Sequence, residues 1–165
     1  MRRLLTSIVV TAALGLCGCT RERNEANVET TPEMTQAIAA LRGAYAAFNR
    51  GDIDAAVEGL DAQIEWTEPA EFPGGGTYHG RDSVKHYLTQ SRANWAEGSS
   101  EPERFITSGN RIVVFVHAKF RNKGSNEWAD VSLADVYTIR DGELVQMRAF
   151  ADRQEALRWV GVEDR

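Results

Sequence analysis

The chain has 165 residues, of which 42% are hydrophobic and 26% charged, the balance of one ordinary globular domain. Its net charge of −5 comes from interleaved acids and bases without a basic run, which argues against nucleic-acid binding. Both cysteines, Cys17 and Cys19, lie near the N-terminus, so the rest of the chain can form neither a disulfide nor a thiolate metal site.

The N-terminal segment has the pattern of an export signal. Arg2 and Arg3 precede an apolar stretch at 4–16 that is too short to span a bilayer as a helix. The sequence Leu16-Cys17-Gly18-Cys19 then resembles the bacterial lipobox. This resemblance implies that Cys19 becomes the acylated first residue of the mature protein, although a plain signal peptide or an unprocessed anchor stays open.

These features predict three segments. They are a lipoprotein signal peptide at 1–18, the lipidated cysteine with a polar tether at 19–32, and a folded domain at 33–163. The lipobox resemblance implies a location in the cell envelope, with the chain anchored to a bacterial membrane through its lipid. The domain would then face the periplasm or the exterior.

Helical periodicity dominates the first half of the domain. Met34, Ile38, Leu41, Tyr45 and Phe48 recur at steps of three and four residues and therefore share one helix face. Similar signals predict helices at 33–50, 53–60, 81–96 and 153–160.

The second half of the domain is mostly strands joined by short turns, which favours antiparallel hairpins. The predicted strands are 63–68, 103–108, 111–121, 127–140 and 143–151, with a long loop at 69–80 and a turn at 97–102. Helices that precede a long sheet indicate an α+β fold. We expect the twisted sheet to curl into a cone that encloses a ligand pocket with about three helices.

Three stretches resemble the SnoaL-like and ketosteroid-isomerase-like branch of the NTF2-like superfamily. They are Phe48–Asp54, the entry Tyr78–Val84 to the third helix, and the final hairpin Asp135–Phe150. The resemblance implies an NTF2-like cone over the whole domain and a possible homodimer. It leaves function open, because the superfamily contains isomerases, cyclases, dehydratases, epoxide hydrolases and non-enzymatic binding domains.

Asp135 is the first candidate catalytic residue, because it lies in the middle of an apolar strand face between Leu133 and Tyr137. Burial of a carboxyl group raises its pKa and can keep it protonated as a hydrogen-bond donor. The family resemblance places Asp135 where ketosteroid isomerase has a protonated oxyanion-hole aspartate, a device for which that enzyme is a standard illustration. The alternative is a structural acid paired with Arg148 or His117.

Glu68 is the second candidate, since it follows Trp66 at a strand end where the isomerase has its catalytic aspartate, and a carboxylate there could act as a general base. The alternative is a solvated acid.

Counting without gaps puts the isomerase's oxyanion-hole tyrosine at Ala44, one residue from Tyr45, a rotation of about 100° on a helix. True steroid isomerisation is therefore not expected.

His117 is a third candidate, as a dyad partner of Asp135 or as a structural histidine. The three histidines lack metal-ligand spacing, and neither a metal nor another cofactor is expected. The pocket lining is predicted to include Trp66, Tyr45, Tyr78, Met147 and Ala149.

Two functions follow from these residues. The first is non-catalytic binding of a small apolar or mixed molecule by a membrane-tethered domain. The second is a cofactor-free isomerase or lyase that uses Glu68 as base and Asp135 as acid. The second requires that one cavity contact both carboxyl groups.

Overall fold

A computed structural model describes residues 31–163, so Cys19, the signal peptide and nearly all of the tether lie outside the described residues. The helices are α1 (Pro32–Asn49), α2 (Ile53–Val57), α3 (Arg81–Ala93) and α4 (Arg153–Val160). The strands are β1 (Leu60–Glu68), β2 (Gly76–His79), β3 (Trp95–Ser108), β4 (Arg111–Asn122), β5 (Trp128–Arg140) and β6 (Glu143–Phe150). Within this range no helix is long and apolar enough to cross a membrane.

The six strands form one curved sheet in the order β2-β1-β6-β5-β4-β3. All neighbouring strands are antiparallel except β1 and β6, the second and third strands of the sheet, which run parallel. Helices α1 to α3 cover one face and α4 packs on the other. The predicted α+β cone with a mostly antiparallel sheet and three helices around a pocket is confirmed.

Alternation along the strands sends side chains to two separate cores. The larger core lies under α1 to α3 and contains Leu41, Ile64 and Val114, all at most 1% exposed. The smaller core lies under α4, where Phe115 and Leu157 meet. The face of α1 predicted from its apolar periodicity is therefore the face that packs on the sheet.

Two of the resembling stretches fix the helices to the sheet. The side chain of Asn49 accepts from the Ser100 backbone amide at 2.8 Å and donates to the Ser100 carbonyl at 3.0 Å, which ties the end of α1 to β3. At the start of α3, Arg81 donates to the Leu60 carbonyl at 2.7 Å from its Nε and again from its Nη2. These contacts set the position of the helices above the sheet.

Two segments predicted as loops contain strands. Residues 97–102, predicted as a turn, belong to β3, which pairs with β4 from Trp95 onward. The loop predicted at 69–80 contains the four-residue strand β2 at its end. Both are edge strands rich in polar or small residues, and backbone pairing with the neighbouring strand holds them rather than apolar side chains.

Gly98 is the position that makes the pairing of β3 with β4 possible. Its φ is +124°, and a Cβ there would lie 2.3 Å from the Lys119 carbonyl oxygen and 2.4 Å from Phe120 Cα. We expect Gly98→Ala to lower the free energy of unfolding by about 3 kcal/mol in urea titrations, because backbone strain and overpacking add. The control Gly43→Ala, in a helix with no atom within 4 Å, should instead raise it by about 0.5–1 kcal/mol. Equal effects of the two substitutions would contradict the packing at Gly98.

Candidate functional site

A cavity of about 1020 Å³ lies between α1 to α3 and the concave face of the sheet. This volume is at the upper end of the range for small-molecule pockets. The walls are mainly apolar and aromatic, and they include Tyr45, Phe48, Leu60, Trp66, Phe72, Tyr78, Tyr87, Leu88, Trp95, Phe120, Val131, Leu133, Tyr137 and Leu144. Two carboxyl groups, those of Glu68 and Asp135, line the same cavity.

Asp135 is 9% exposed and lies in the row of β5 side chains that faces the cavity. Tyr45 of α1 donates its hydroxyl hydrogen to Asp135 Oδ2 at 2.5 Å, and the Tyr45 and Tyr137 hydroxyl oxygens are 3.2 Å apart. Burial raises the pKa of Asp135 to about 6, although the hydrogen bond from Tyr45 opposes the shift. A carboxyl group that would be ionised in water thus retains a proton to near-neutral pH.

The two tyrosines are themselves deeply buried beside that carboxyl group. Burial and then the nearby Asp135 charge raise the pKa of both Tyr45 and Tyr137, so their hydroxyls stay neutral. The alternative pairing of Asp135 with Arg148 or His117 is not found, because Tyr45 occupies that role. The phenol that reaches this carboxyl group is that of Tyr45. Ala44, at the position where the isomerase resemblance places a tyrosine, also lines the cavity.

Glu68 lies at the end of β1 and is half-buried at the cavity wall. The Trp66 indole donates to Glu68 Oε1 at 2.8 Å, and Tyr87 of α3 makes a further side-chain hydrogen bond. Burial, and secondarily the negative charge of Asp135, raise the pKa of Glu68 to about 7, while the bonds from Trp66 and Tyr87 oppose this rise. The negative charge of Asp135 therefore adds to the effect of burial in favouring the protonated form of Glu68.

Trp66→Phe should move the titration midpoint of Glu68 about one pH unit higher, because the ionised carboxylate loses a hydrogen bond from the indole. The midpoint is measured by carbon NMR on protein labelled at the glutamate carboxyl carbons. Trp95→Phe is the matched control, since Trp95 lines the same cavity without being among the causes of the Glu68 shift. An unchanged midpoint in Trp66→Phe would show that the indole does not hold the carboxylate in solution.

A tyrosine pair connects Glu68 to the loop that precedes β2. Tyr87 stacks on Tyr78 with ring centroids 4.5 Å apart, and the Tyr78 hydroxyl donates to the Gly74 carbonyl at 2.5 Å. Gly74 has φ +79°, and a Cβ there would lie 2.9 Å from the Tyr87 ring. The loop can therefore pack closely over the Glu68 end of the cavity, where Phe72 and Gly74 contribute to its wall.

Comparison with known proteins agrees with this architecture. A family model described as a SnoaL-like domain matches residues 41–147. The chain belongs to the SnoaL-like family. No curated protein matches this SnoaL-like chain in sequence.

Solved structures similar to this SnoaL-like chain have NTF2-like folds. An NTF2-like protein of unknown function from Burkholderia pseudomallei K96243 is 27% identical, with 76% of this chain and 97% of that chain covered and a TM-score of 0.63. TerC, co-crystallised with polyporic acid, is 25% identical over 74% of this chain and 96% of that chain, with a TM-score of 0.61. The epoxide hydrolase/cyclase-like enzyme SalBIII, at 20% identity over 70% of this chain and 90% of that chain, has a TM-score of 0.59 and shows the fold alone.

The alternative in which His117 forms a dyad with Asp135 is wrong for this SnoaL-like domain. The register pairs Val114 with Asp135 and His117 with Ser132, so the His117 side chain points to the face opposite the cavity. There it is 37% exposed and its Nε2 lies 2.7 Å from Asp130 Oδ1. His117 is a surface residue paired with a surface acid.

Met147 and Ala149 lie on the cavity side of the SnoaL-like sheet but are not part of the cavity wall. Both are buried in the larger core, at 0% and 5% exposed. Leu144 lines the cavity instead, because a β-bulge follows it: Ile139 pairs with Leu144, and Thr138 pairs with Gln146. Strict alternation cannot anticipate the extra residue, Val145.

The structure places Trp66, Tyr45 and Tyr78 at the cavity wall of the SnoaL-like domain, together with Glu68 and Asp135. Sequence reasoning missed Tyr87 and the pairing of Tyr45 with Asp135. The signal was present for Tyr87, which shares a helix face with Val84 and Leu88. Among residues 31–163, no cluster of three or more His, Cys, Asp or Glu side chains could hold a metal ion.

Proposed function

We propose that this SnoaL-like domain binds a small, largely apolar carbonyl compound and moves a proton on it without a cofactor. Glu68 removes a proton from the carbon next to the carbonyl group, and the protonated Asp135 donates to the carbonyl oxygen as it gains negative charge. Return of the proton at another carbon completes an isomerisation, and departure of a leaving group completes a lyase reaction. The observation that carries the proposal is that one cavity contacts both carboxyl groups.

The pKa values of the pair make the reactive state, with Glu68 ionised and Asp135 protonated, the minor one-proton state, because the pKa of Glu68 is the higher of the two. With pKa values of about 6 for Asp135 and about 7 for Glu68, the pair holds one proton between these two values. One carboxyl group can then accept a proton while the other donates one. Negative charge that develops on the carbonyl oxygen of the substrate favours the state in which the proton is on Asp135. An ionised Asp135 beside that oxygen would repel the charge.

Non-catalytic binding is the second candidate, and the size of the cavity supports it equally well. TerC, which was crystallised with polyporic acid, supports small-molecule binding of either kind. A passive apolar pocket does not need two carboxyl groups with raised pKa values, since each buried charge destabilises the fold. For this reason we favour proton transfer.

Hydrogen–deuterium exchange tests the proposal without knowledge of the product. Linear and cyclic ketones are incubated with the protein in D₂O, and loss of the hydrogens next to the carbonyl group is followed by proton NMR. We expect exchange above the buffer rate for apolar ketones, with a bell-shaped pH profile whose maximum lies between the two pKa values of the pair. Ketones that bind, as judged by tryptophan fluorescence, but never exchange would leave non-catalytic binding as the function.

We further propose that the domain is held at a bacterial membrane by lipid on Cys19, with the domain facing the periplasm or exterior. The Leu16-Cys17-Gly18-Cys19 pattern supports this location. Expressed in a bacterium, Cys19→Ser should move the protein from the membrane fraction to the soluble fraction and abolish incorporation of labelled palmitate. Cys17→Ser is the control and should remain lipidated. Membrane association that survives Cys19→Ser would refute the anchor.

A further inference from the structure

The cavity extends well beyond the two carboxyl groups. Val131, Leu133 and Asp135 line it in a row along β5, and Phe120 lines it six residues beyond Val114, the β4 neighbour of Asp135. At a rise of about 3.3 Å per residue, Phe120 lies about 20 Å from that point along the strand. The cavity is therefore elongated, with the carboxyl groups away from its Phe120 end.

Three aromatic rings form the wall of that end. The rings of Trp95 and Phe120 are stacked, with centroids 4.3 Å apart and an interplanar angle of 5°. Phe48 meets Trp95 edge-on, with centroids 5.4 Å apart and an angle of 89°. All three side chains line the cavity, and we call them the aromatic wall. Such a wall offers ring faces and edges to a flat apolar group.

The local structure holds the aromatic wall in place. A β-bulge lies between Trp95 and Glu97, and Gly98 allows β3 to approach the backbone of Phe120 closely. The Arg92 guanidinium lies 5.7 Å from the Trp95 ring centroid and donates to the carbonyl groups of Phe48 and Asn49. The end of α1, the end of α3 and the strands β3 and β4 are thus held around the three rings.

We propose that the aromatic wall is a second subsite, which binds an aromatic or fused-ring group of an elongated substrate whose carbonyl group lies at Glu68 and Asp135. This inference rests on the proposed proton transfer and names its substrate class: carbonyl compounds with a flat apolar group joined through an extended apolar spacer. Val131 and Leu133 line the path of the spacer. Beyond the wall, the exposed Asn94, Asn122 and Lys123 mark the mouth, so a polar end of the substrate could remain in water.

A ligand series tests the subsite. Methyl ketones carry a phenyl ring on progressively longer methylene chains, and their dissociation constants are measured by tryptophan fluorescence in Glu68→Gln, which does not turn them over. Each added buried methylene should tighten binding about fourfold. Once the ring reaches the aromatic wall, we expect a further gain of up to about tenfold. Exchange rates of the same ketones are measured with the unaltered protein.

The decisive quantity is the ratio of affinities for long and short ketones. Phe120→Ala should lower this ratio by up to about tenfold, and Phe120→Leu, which keeps the bulk but removes the flat face, should lower it less. Trp128→Ala is the control, because Trp128 is 49% exposed and is not part of the cavity wall. If Phe120→Ala does not fold, Phe120→Leu alone decides.

The outcomes separate this subsite from the proposed reaction. An unchanged ratio in both Phe120 variants overturns the subsite even when short ketones exchange. Long ketones that bind through Phe120 but never exchange keep the subsite and remove the proton transfer. Exchange that becomes faster with chain length, together with a ratio that falls in the Phe120 variants, supports both.

Discussion

Glu68→Gln should lower the rate of ketone hydrogen exchange by about 10²- to 10⁴-fold, the usual contribution of a positioned general base. The amide keeps the size of the side chain and can still accept the 2.8 Å hydrogen bond from Trp66, so binding of the ketone should change little. The loss should therefore appear in kcat rather than in KM. Steady-state exchange measured by NMR at several ketone concentrations separates the two.

Glu65→Gln is the matched control for this substitution. Glu65 lies on the same strand, is exposed on the opposite face and accepts a hydrogen bond from Gln146 at 3.0 Å. Its substitution should leave the exchange rate within about twofold, the ordinary effect of a surface change. If Glu65→Gln and Glu68→Gln reduce the rate equally, Glu68 is not the base.

Asp135→Asn should make the protein more stable at pH 8 by about 3 kcal/mol. The pKa of Asp135 is raised from 3.8 to about 6 in the folded state, so the folded protein binds more protons than the unfolded chain between these values. The contribution of Asp135 to the free energy of unfolding consequently falls as pH rises from about 4 to about 6. The asparagine variant carries no charge and escapes this loss, so the two proteins should be equally stable below pH 4.

Urea titrations across this pH range measure the difference, with Asp130→Asn as the control on the same strand. Hydrogen bonds from His117 and Lys119 lower the pKa of Asp130, so removal of that carboxyl group should bring no gain in stability as pH rises. The same Asp135→Asn protein should lose most of its ketone exchange. The pH dependence of the residual exchange should show a single transition, that of Glu68. A pH-independent stability difference would mean that the pKa of Asp135 is the same in the folded protein and in the unfolded chain.

The sequence predicted the helices and strands in which apolar side chains mark one face. The apolar stripe of α1 and the alternation of Val131, Leu133, Asp135 and Tyr137 on β5 specify one buried face each, and the structure has those faces. The family resemblance marks Glu68 as a candidate base, and alternation with Ile64 and Trp66 predicts its inward face. Local periodicity is sufficient for such assignments, since burial of one face decides the conformation.

Features that depend on register between distant strands were not predictable in this way. A dyad of His117 with Asp135 requires both side chains on one face, but β4 and β5 pair even with odd positions, which sends His117 to the other face. The bulge in β6 turned Leu144 toward the cavity in place of Val145. The bond from Tyr45 to Asp135 joins residues 90 positions apart. The sequence of one strand does not show its register against a neighbouring strand. A shift of one residue in that register reverses the face of every side chain.

The parallel pairing of β1 with β6 also determines when the domain can form during synthesis. Trp66 pairs with Met147 in the sheet, so β1 has no central partner until β6 has left the ribosome. Before that point β1 and β5 each present an open edge, and the nascent chain cannot complete its sheet. Such non-local pairing slows folding. A truncation that removes β6 should therefore abolish the native domain rather than shorten it.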